Sequence, residues 1–336
     1  MIRLQREKMN SQEGKKQKTK PSMSNPVDVR IGIALGSGSA RGWAHIGVLR
    51  ALAEMGVRPG IVAGSSIGAL VGAAYAGNQL DAMEHWVNRL TWKDILTFMD
   101  FSFLDGGVLR GEKIMEYARR HLEGGDIQSL PLSFGAVATE LNTGREVWLR
   151  KGDILDSVHA SIALPGLFAP FKLDGRWLVD GGLVDPVPIV LCRAMGAEVV
   201  IAVNLNGDIV GKHGRGRESG KYRQKSNTGE NADTWIRISK QIAAGLSEQK
   251  EAVLSQFLGE NRNTPGLFDV MASTINIMQD RITRSRMAGE PPDVLLAPRL
   301  SHLGLLEFDQ AAVAMAEGRA CVERMRPVFD QVLSEL

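Results

Sequence analysis

Residues 57–76 of this chain, VRPGIVAGSSIGALVGAAYA, decide its fold. The first part is apolar and predicts a buried strand over Val57–Ala63, and the second part predicts a buried helix over Ile67–Ala76. No charged residue occurs between Arg58 and Asp81, yet glycine recurs at every fourth or fifth position, which argues against a membrane-spanning helix. The stretch is therefore interpreted as a strand, a tight turn and a helix.

A similar unit precedes it. The apolar run Arg30–Leu35 is typical of a central parallel strand, and a glycine-rich turn leads into a helix from Trp43 to Leu52 that ends at Gly56. Two successive strand-to-helix units predict right-handed parallel crossovers, with helices on both faces of the sheet. The fold class is therefore α/β with a mostly parallel central sheet.

Further elements follow along the chain. The predicted strands are Phe134–Thr139, Glu146–Leu149, Phe171–Leu173, Trp177–Val179, Val199–Val203 and Asp293–Leu296. The predicted helices are Ile154–Ala163, Thr234–Leu258, Asp269–Met287 and a long one from Asp309 onward. Asp174-Gly175 predicts a hairpin turn between two of the strands.

Composition divides the chain into four regions. Residues 1–28 are polar and aperiodic, which predicts a disordered basic tail, and 29–205 form the core of the fold. Residues 206–233 have almost no apolar content and are interpreted as a mobile polar loop. Residues 234–336 are mainly helical and are expected to pack on the core.

The overall composition is that of a globular enzyme, with 44% hydrophobic and 23% charged residues. A net charge of only +2 gives no nucleic-acid-binding footprint. Cys192 and Cys321 lie in apolar helical contexts, so we expect buried, reduced thiols in an intracellular protein and no metal site. The basic residues before position 21 are those of a solvated tail, or of a segment that contacts anionic lipid head groups.

The chemistry-bearing motif is Gly64-Ser65-Ser66-Ile67-Gly68, which matches the G-x-S-x-G nucleophile elbow. It lies where a predicted strand ends and a helix begins, so the turn would expose Ser66 above the edge of the sheet. Ser65 is then a bystander that caps the helix. The alternative is a tight turn without chemistry, in which Gly68 only allows close helix packing.

The turn Gly36-Ser37-Gly38-Ser39-Ala40-Arg41-Gly42 also joins a strand to a helix. Its N–H groups and the helix N-terminus could stabilise an oxyanion. The competing hypothesis is a dinucleotide-binding turn, which requires an acidic residue at the end of the second strand. Ala63-Gly64-Ser65 occupies that place, so the nucleotide hypothesis is disfavoured.

Asp180-Gly181-Gly182 follows an apolar strand, where an acidic residue is out of place unless it is used or caps the next turn. Asp174 lies in the hairpin turn and is assigned no function. A Ser-Asp-His triad would need a later histidine, which leaves His213 and His302, and neither lies in a glycine-rich or strand-end context. His45 and His159 fall within predicted helices and are interpreted as packed or surface residues.

The order of these three motifs resembles that of the patatin-like phospholipase family, especially bacterial members related to neuropathy target esterase. Four further segments share the resemblance: Ala138–Gly144 (ATELNTG), Ser161–Gly166 (SIALPG), Asp185–Pro188 (DPVP) and Met287–Asp293 (MAGEPPD). It runs from about Ile31 to Asn204 and identifies 29–205 as a patatin-like catalytic core. The implied architecture is a three-layer α/β/α fold with a helical C-terminal layer.

The resemblance implies a serine acyl hydrolase with a Ser66–Asp180 dyad, no catalytic histidine and no cofactor. Gly36, Gly38, Ser39 and Arg41 match the oxyanion and substrate-binding positions, and the motif glycines are Gly42, Gly64, Gly68, Gly181 and Gly182. This chain departs from the pattern at Ser37-Gly38-Ser39, where many members have three glycines. The implied substrates are lipid or lysophospholipid esters. The reduced thiols and the basic tail predict a cytoplasmic location, peripheral at the inner face of the membrane.

Two other classes of function stay open. A regulatory or scaffold protein could keep the patatin fold with its chemistry idle, and bind partners through the C-terminal helices. A nucleotide-binding protein is the least favoured class, and it would not react with serine-directed reagents.

Overall fold

A computed structural model describes residues 29–91, 94, 101–102, 108–109, 124–208 and 267–334 of this 336-residue chain. The predicted tail 1–28, the loop from 209 onward and the predicted helix Thr234–Leu258 lie outside the described residues. No helix in the described ranges is long and apolar enough to cross a membrane.

The described elements begin with two strand-helix units and continue with a mixture of strands and helices. The strands are β1 Ile31–Leu35, β2 Ile61–Ser65, β3 Phe101–Ser102, β4 Val108–Leu109, β5 Ser133–Glu140, β6 Glu146–Leu149, β7 Phe171–Leu173, β8 Arg176–Asp180, β9 Val199–Val203 and β10 Val294–Leu296. The helices are α1 Ala44–Glu54, α2 Ile67–Ala76, α3 Leu80–Val87, α4 Ile154–Ile162, α5 Ile189–Ala194, α6 Leu267–Gly289, α7 Ala311–Arg324 and α8 Arg326–Ser334. Short 3₁₀ helices cover Ser39–Trp43, Ile127–Ser129, Gly181–Leu183 and Phe308–Gln310.

The central sheet has eight strands in the order β10-β9-β1-β2-β5-β8-β7, with β6 also paired to β5. The five strands from β10 to β5 are parallel, and β6, β7 and β8 are antiparallel to their neighbours. Strands β3 and β4 form a separate antiparallel pair. The mostly parallel α/β fold predicted from the sequence is therefore confirmed.

The register on β5 explains how two distant parts of the chain meet. Strand β6 pairs with 136–139 along one edge of β5, so β2, paired with 133–137, and β8, paired with 138–140, must share the other edge. Ser65 at the end of β2 faces Val137, and Asp180 at the end of β8 faces Ala138. The carboxyl ends of β2 and β8 therefore meet end to end.

Both faces of the sheet are buried. Ile33 and Leu35 face a core shared with α1 and α2, whereas Ala34 faces the opposite side, where α5 supplies Leu191 and Cys192. A strand buried on both faces needs a continuous apolar run, which is what the sequence of β1 provides. Helices on two sides of one sheet give the three-layer arrangement.

Some elements differ from the sequence-based prediction. Helices α3 and α5 and the β3–β4 pair were not predicted, and the turn before α1 begins as the 3₁₀ helix Ser39–Trp43. The long helix expected from Asp309 onward is instead α7 and α8, separated at Met325. Pro327 accounts for the break, because proline lacks an N–H and its ring clashes with the preceding turn. Cys192 and Cys321 are buried free thiols, as predicted.

Helix α7 packs on α1 through a pair of glycines. A Cβ on Gly47 would lie 1.9 Å from the carbonyl oxygen of Met315, and a Cβ on Gly318 would lie 2.1 Å from that of Ala44. The two backbones thus approach more closely than any side chain allows. This contact joins the C-terminal helices to the core.

We predict that Gly318→Ala lowers the free energy of unfolding by about 3 kcal/mol, because the new methyl group forces the two helices apart. Alanine favours a helix over glycine, so helix propensity alone predicts the opposite sign. The matched control is Gly289→Ala at the end of α6, where a Cβ meets nothing within 4 Å. Urea unfolding followed by circular dichroism measures both. Equal stability of the two variants would contradict the proposed close contact.

Candidate active site

Ser66 lies in the turn between β2 and α2 with φ 57° and ψ −127°. A positive φ is strained for a residue other than glycine, and such strain persists only when the surroundings enforce it. The Ser66 N–H donates to Ser161 Oγ at 2.9 Å, and Ser161 Oγ–H donates to the carbonyl of Val137 at 2.6 Å. Ser161 thus ties the turn to β5, and the Ser66 N–H is already occupied.

Asp180 ends β8 and is fully buried. Its Oδ2 accepts a hydrogen bond from Ser66 Oγ at 2.5 Å, and its Oδ1 accepts one from the Gly182 N–H at 2.7 Å. The carboxylate therefore caps the turn that follows and contacts Ser66 at the same time. The sequence also allowed Asp180 to be only a cap for the following turn. That role uses only one of the two carboxylate oxygens of Asp180.

Burial raises the pKa of Asp180 to about 7, against hydrogen bonds from Ser66 and Gly182 that favour the charged form. An unperturbed aspartate has a pKa near 4 and is a weak base at neutral pH. The buried carboxylate is therefore a much better proton acceptor than its residue type suggests.

The glycine-rich turn brings two backbone donors to the same place. Ser37 N–H donates to the Pro186 carbonyl and Ala40 N–H to the Leu305 carbonyl, at 2.8 and 3.1 Å. Between them, the N–H groups of Gly38 and Ser39 have no partner among the described residues. Two adjacent unpaired donors are the arrangement that an oxyanion requires.

Ser39 replaces a glycine of the family pattern and has φ 51°, in the region that favours glycine. Its Oγ donates to the Leu305 carbonyl at 2.6 Å. This bond offsets part of the backbone strain and joins the turn to the segment before α7.

Arg41 is buried beneath the turn. Its N–H and Nε each donate to the Gly38 carbonyl at 3.2 Å, and Nη2 donates to Asn276 Oδ1 at 3.0 Å. Burial lowers the pKa of Arg41 to about 10, against the nearby Asp208, so the guanidinium stays charged at neutral pH. Because a trans peptide directs its C=O and N–H oppositely, fixing the Gly38 carbonyl points the Ser39 N–H away from Arg41.

The remaining motif glycines mark close backbone contacts. A Cβ on Gly68 would lie 2.1 Å from the Leu35 carbonyl oxygen, and one on Gly181 would lie 2.2 Å from that of Val137. Gly36, Gly42, Gly64 and Gly182 would also meet neighbouring atoms at 2.6 Å or less. Larger side chains there would separate the three motifs.

Other sequence candidates lie elsewhere. Ser65 does not cap α2 as expected; it is fully buried, and its Oγ accepts a hydrogen bond from Ser37 Oγ at 3.2 Å. Asp174 lies in the β7–β8 turn, and His302 is exposed. His213 lies outside the described residues.

The two helical histidines, for which the sequence allowed packed or surface positions, are both packed. Burial lowers the pKa of His45 to about 4, so its ring is neutral at pH 7 and donates from Nε2 to the Gly36 carbonyl at 2.8 Å. His159 is also buried, and its ring stacks against Phe171 with a centroid distance of 4.3 Å. Neither ring lines the cavity beside Ser66.

Ser66, Gly38 and Ser39 line one cavity of about 100 Å³. Most of its other lining residues are aliphatic or aromatic: Trp43, Ile67, Leu70, Trp86, Leu90, Ile162, Leu164, Leu167, Phe168, Ile275, Leu305, Leu306 and Phe308. Asp180 and Arg41 do not line the cavity themselves and lie behind the residues that do. A hydroxyl with a buried carboxylate partner therefore faces an apolar space, beside two N–H donors that no described residue accepts from.

Helix α6 contributes residues that the sequence did not single out. Asn276 and Gln279 line the cavity, and Gln279 Oε1 accepts a hydrogen bond from Asn206 Nδ2 at 2.9 Å. The two residues lie three positions apart on one helix and form a polar pair in an apolar stretch. That pattern is the signal by which the sequence could have identified them. Ser161 belongs to a segment that carried the family resemblance, but no local pattern indicates its bond to Ser66.

The same helix is anchored by an ion-pair cluster. Arg286 Nε lies 3.1 Å from Asp185 Oδ1, and its Nη2 lies 2.9 Å from Glu146 Oε2. Burial raises the pKa of Asp185 to about 8, against the opposing effect of Arg286. The cluster ties α6 to the segment after Asp180-Gly181-Gly182.

Comparison with known proteins finds similar sequences. The patatin-like phospholipase family model matches residues 33–192, which include all three motifs. An uncharacterised NTE family protein of Mycobacterium tuberculosis is 36% identical over 332 residues, covering 90% of this chain and 92% of the relative. Mouse patatin-like phospholipase domain-containing protein 7 is 32% identical over 182 residues, 52% of this chain and 13% of its own length.

Among solved structures, VipD from Legionella pneumophila aligns over 92% of this chain and 68% of its own, with a TM-score of 0.47 and 14% identity. The family assignment rests on the sequence matches, whose extent and identity are far greater than chance allows. This chain belongs to the patatin-like phospholipase family of lipid hydrolases.

Proposed function

We propose that this protein is a serine acyl hydrolase that cleaves a carboxylic ester of a lipid or lysophospholipid, with Ser66 as nucleophile and Asp180 as general base. The observation that carries the proposal is the 2.5 Å hydrogen bond from Ser66 Oγ to Asp180 Oδ2, at the wall of an apolar cavity. A buried carboxylate in direct contact with a strained serine is typical of an activated nucleophile.

Acylation begins when Ser66 Oγ attacks the ester carbonyl carbon and Asp180 Oδ2 accepts the Oγ proton. The carbonyl oxygen becomes an oxyanion, which the N–H groups of Gly38 and Ser39 stabilise. One such donor typically contributes about 3 kcal/mol to the transition state. The intermediate then expels the alcohol, which takes the proton from Asp180, and leaves an acyl-enzyme on Ser66.

Deacylation repeats these steps with water. Asp180 accepts a proton from the water as its oxygen attacks the acyl carbon, and the same two N–H groups stabilise the second oxyanion. Ser66 Oγ leaves and recovers the proton, and the fatty acid is released. Arg41 acts as a positioning residue, because its two hydrogen bonds to the Gly38 carbonyl fix the Ser39 peptide.

The raised pKa of Asp180 supports the assignment of a base without a histidine. General-base catalysis is most efficient when the pKa of the base lies near the working pH. Burial moves the Asp180 pKa to about 7 and so supplies that match. This burial lowers the stability of the fold, because a charged carboxylate shielded from solvent destabilises the native state.

The apolar lining of the cavity favours an acyl chain over the ribose and phosphates of a nucleotide. An idle scaffold would retain neither the strained Ser66 backbone nor unpaired N–H groups for long, since strain without function is costly.

We also propose a cytoplasmic location with peripheral contact to anionic membrane, which rests on the basic residues of 1–28 and of the predicted loop from 209 onward.

We predict that Ser66→Ala abolishes hydrolysis of nitrophenyl butyrate and labelling by a fluorophosphonate, whereas Ser65→Ala keeps a substantial part of both. Asp180→Asn should lower the acylation rate by orders of magnitude, since an amide nitrogen cannot accept the proton. Stopped-flow release of nitrophenol measures acylation. Circular dichroism checks that each variant is folded.

The matched controls are Asp174→Asn, His213→Ala and His302→Ala, each of which should retain activity within a few-fold. A triad would behave differently, because members of such a unit fail together. A folded but inactive His302→Ala or His213→Ala enzyme would overturn the dyad, and equal losses in the two serine variants would show that the nucleophile is misplaced.

We predict that kcat/KM falls about tenfold per pH unit below a midpoint near pH 7, because protonated Asp180 cannot accept the Ser66 proton. The measurement is kcat/KM from pH 5 to 9, read at the isosbestic wavelength of the released nitrophenol. A profile that stays flat down to pH 5 would rule out a base with a raised pKa.

We predict that Asp180→Asn raises the free energy of unfolding above that of the unmodified enzyme at pH 8. The increase should be smaller at pH 4. With a native pKa of about 7 and an unfolded value near 4, Asp180 keeps its proton longer in the native state. Stability is therefore lost as the pH rises from 4 through 7, by up to about 4 kcal/mol, and asparagine removes this loss. Urea unfolding of both proteins at the two pH values measures the difference, and a pH-independent difference would contradict the shift.

A further inference from the structure

The cavity beside Ser66 has both polar and apolar lining residues. The polar ones are Ser37, Gly38, Ser39, Ser66, Asn276 and Gln279. The apolar ones include Trp43, Leu70, Trp86, Leu90 and Phe308. An amphipathic ligand that fits this division places its polar group at the serine and its hydrocarbon among the aromatic rings.

Along two helices of the lining, a polar residue and an apolar residue lie about one helical turn apart. Ser66 and Leu70 are four residues apart at the start of α2, so they share one face of the helix and are separated by roughly 6 Å. Ser39 and Trp43 are the first and last residues of one 3₁₀ helix, which spans about 8 Å at 2 Å per residue. The 3₁₀ helix therefore leads from Ser39 to Trp43, and α2 leads from Ser66 to Leu70, along the lining of the same cavity.

Trp43 is the centre of this cluster. Its ring meets those of Trp86 and Phe308 edge to face, at centroid distances of 6.1 and 6.0 Å. Its Nε1 donates to the Phe308 carbonyl at 3.1 Å, which fixes the ring. Trp43 and Trp86 are 2% and 5% exposed, so both rings are shielded from solvent.

The volume of the cavity limits what it can hold. A site for one water molecule needs roughly 10–15 Å³, and a methylene group is close to water in size, so the cavity of about 100 Å³ is several times larger than such a site. A cavity of this size has room for one unbranched hydrocarbon chain of medium length.

We propose that the aromatic cluster of Trp43, Trp86 and Phe308 is the acyl-chain ruler of this enzyme, and that it selects esters of a single medium-length fatty acid. The inference rests on the proposed function, since it assigns the chain specificity of the same site. The three rings act by contact with the end of the chain and take no part in proton transfer.

A series of nitrophenyl esters from two to sixteen carbons tests the ruler. The expected kcat/KM rises about two- to fourfold per methylene as apolar surface is buried, peaks near eight carbons, and falls at least tenfold by twelve. Phe308→Ala should move the peak to longer chains by several carbons. The Trp43 N–H keeps its partner in this variant, because the acceptor is a backbone carbonyl.

Trp86→Phe is a milder second variant and should move the peak by one or two carbons. Leu70→Phe should move it the other way, to shorter esters, because it fills the same space from the α2 wall. The control is Trp148→Ala on β6, whose ring is 40% exposed and does not line the cavity. The chain length at which kcat/KM peaks should be the same in Trp148→Ala as in the unmodified enzyme.

A flat profile up to sixteen carbons, or an unchanged peak in both Phe308→Ala and Trp86→Phe, would overturn the ruler. Hydrolysis of the butyrate ester that depends on Ser66 would still support the proposed function in that case. If no ester is cleaved, calorimetric binding of free octanoate and palmitate to Ser66→Ala tests the cavity alone. Tighter binding of octanoate supports the ruler, and tighter binding of palmitate contradicts it.

Discussion

Strands β2 and β8 meet end to end along one edge of β5, and the candidate site depends on that meeting. Ser65 faces Val137 and Asp180 faces Ala138, so the ends of two strands running in opposite directions converge on consecutive residues of one neighbour. Ser161 Oγ–H donates to the Val137 carbonyl and Thr139 Oγ1 donates to the Asp180 carbonyl, which fixes both ends to β5. A register slip of one residue would turn the side chains to the other face of the sheet and separate Ser66 from Asp180.

The burial of Asp180 links chemistry with stability. A carboxylate without solvent costs free energy, and only part of this is offset by its hydrogen bonds from Ser66 and Gly182. The same burial brings its pKa to about 7, which matches the role of general base near neutral pH that we propose for it. A histidine would reach that pKa without burial. In a Ser-Asp dyad, burial in the protein has to raise the pKa of the base toward neutrality. A triad uses a histidine, whose unperturbed pKa is already close to neutral.

The site also depends on a region beyond the stretch that the family model matches. Helix α6 begins at Leu267, yet its Asn276 contacts Arg41 beneath the glycine turn and its Gln279 lines the cavity. Arg286 anchors the far end of this helix to Asp185 and Glu146. The C-terminal helices thus support the glycine-rich turn as well as cover the core, and Leu305 adds a bond to Ser39 from the same part of the chain.

The sequence by itself determined the α/β class, the sheet-edge turns and the three motifs, because these follow from local patterns: apolar runs, glycines at strand ends, and turn residues such as Asp174-Gly175. It also separated Asp180 from Asp174, since one ends a strand and the other lies in a turn. Only the tertiary structure decided that Ser66 contacts Asp180 across 114 positions, that Ser65 pairs with Ser37, and that Trp43, Trp86 and Phe308 meet. Such contacts depend on strand order, register and helix packing, which no local stretch of residues encodes.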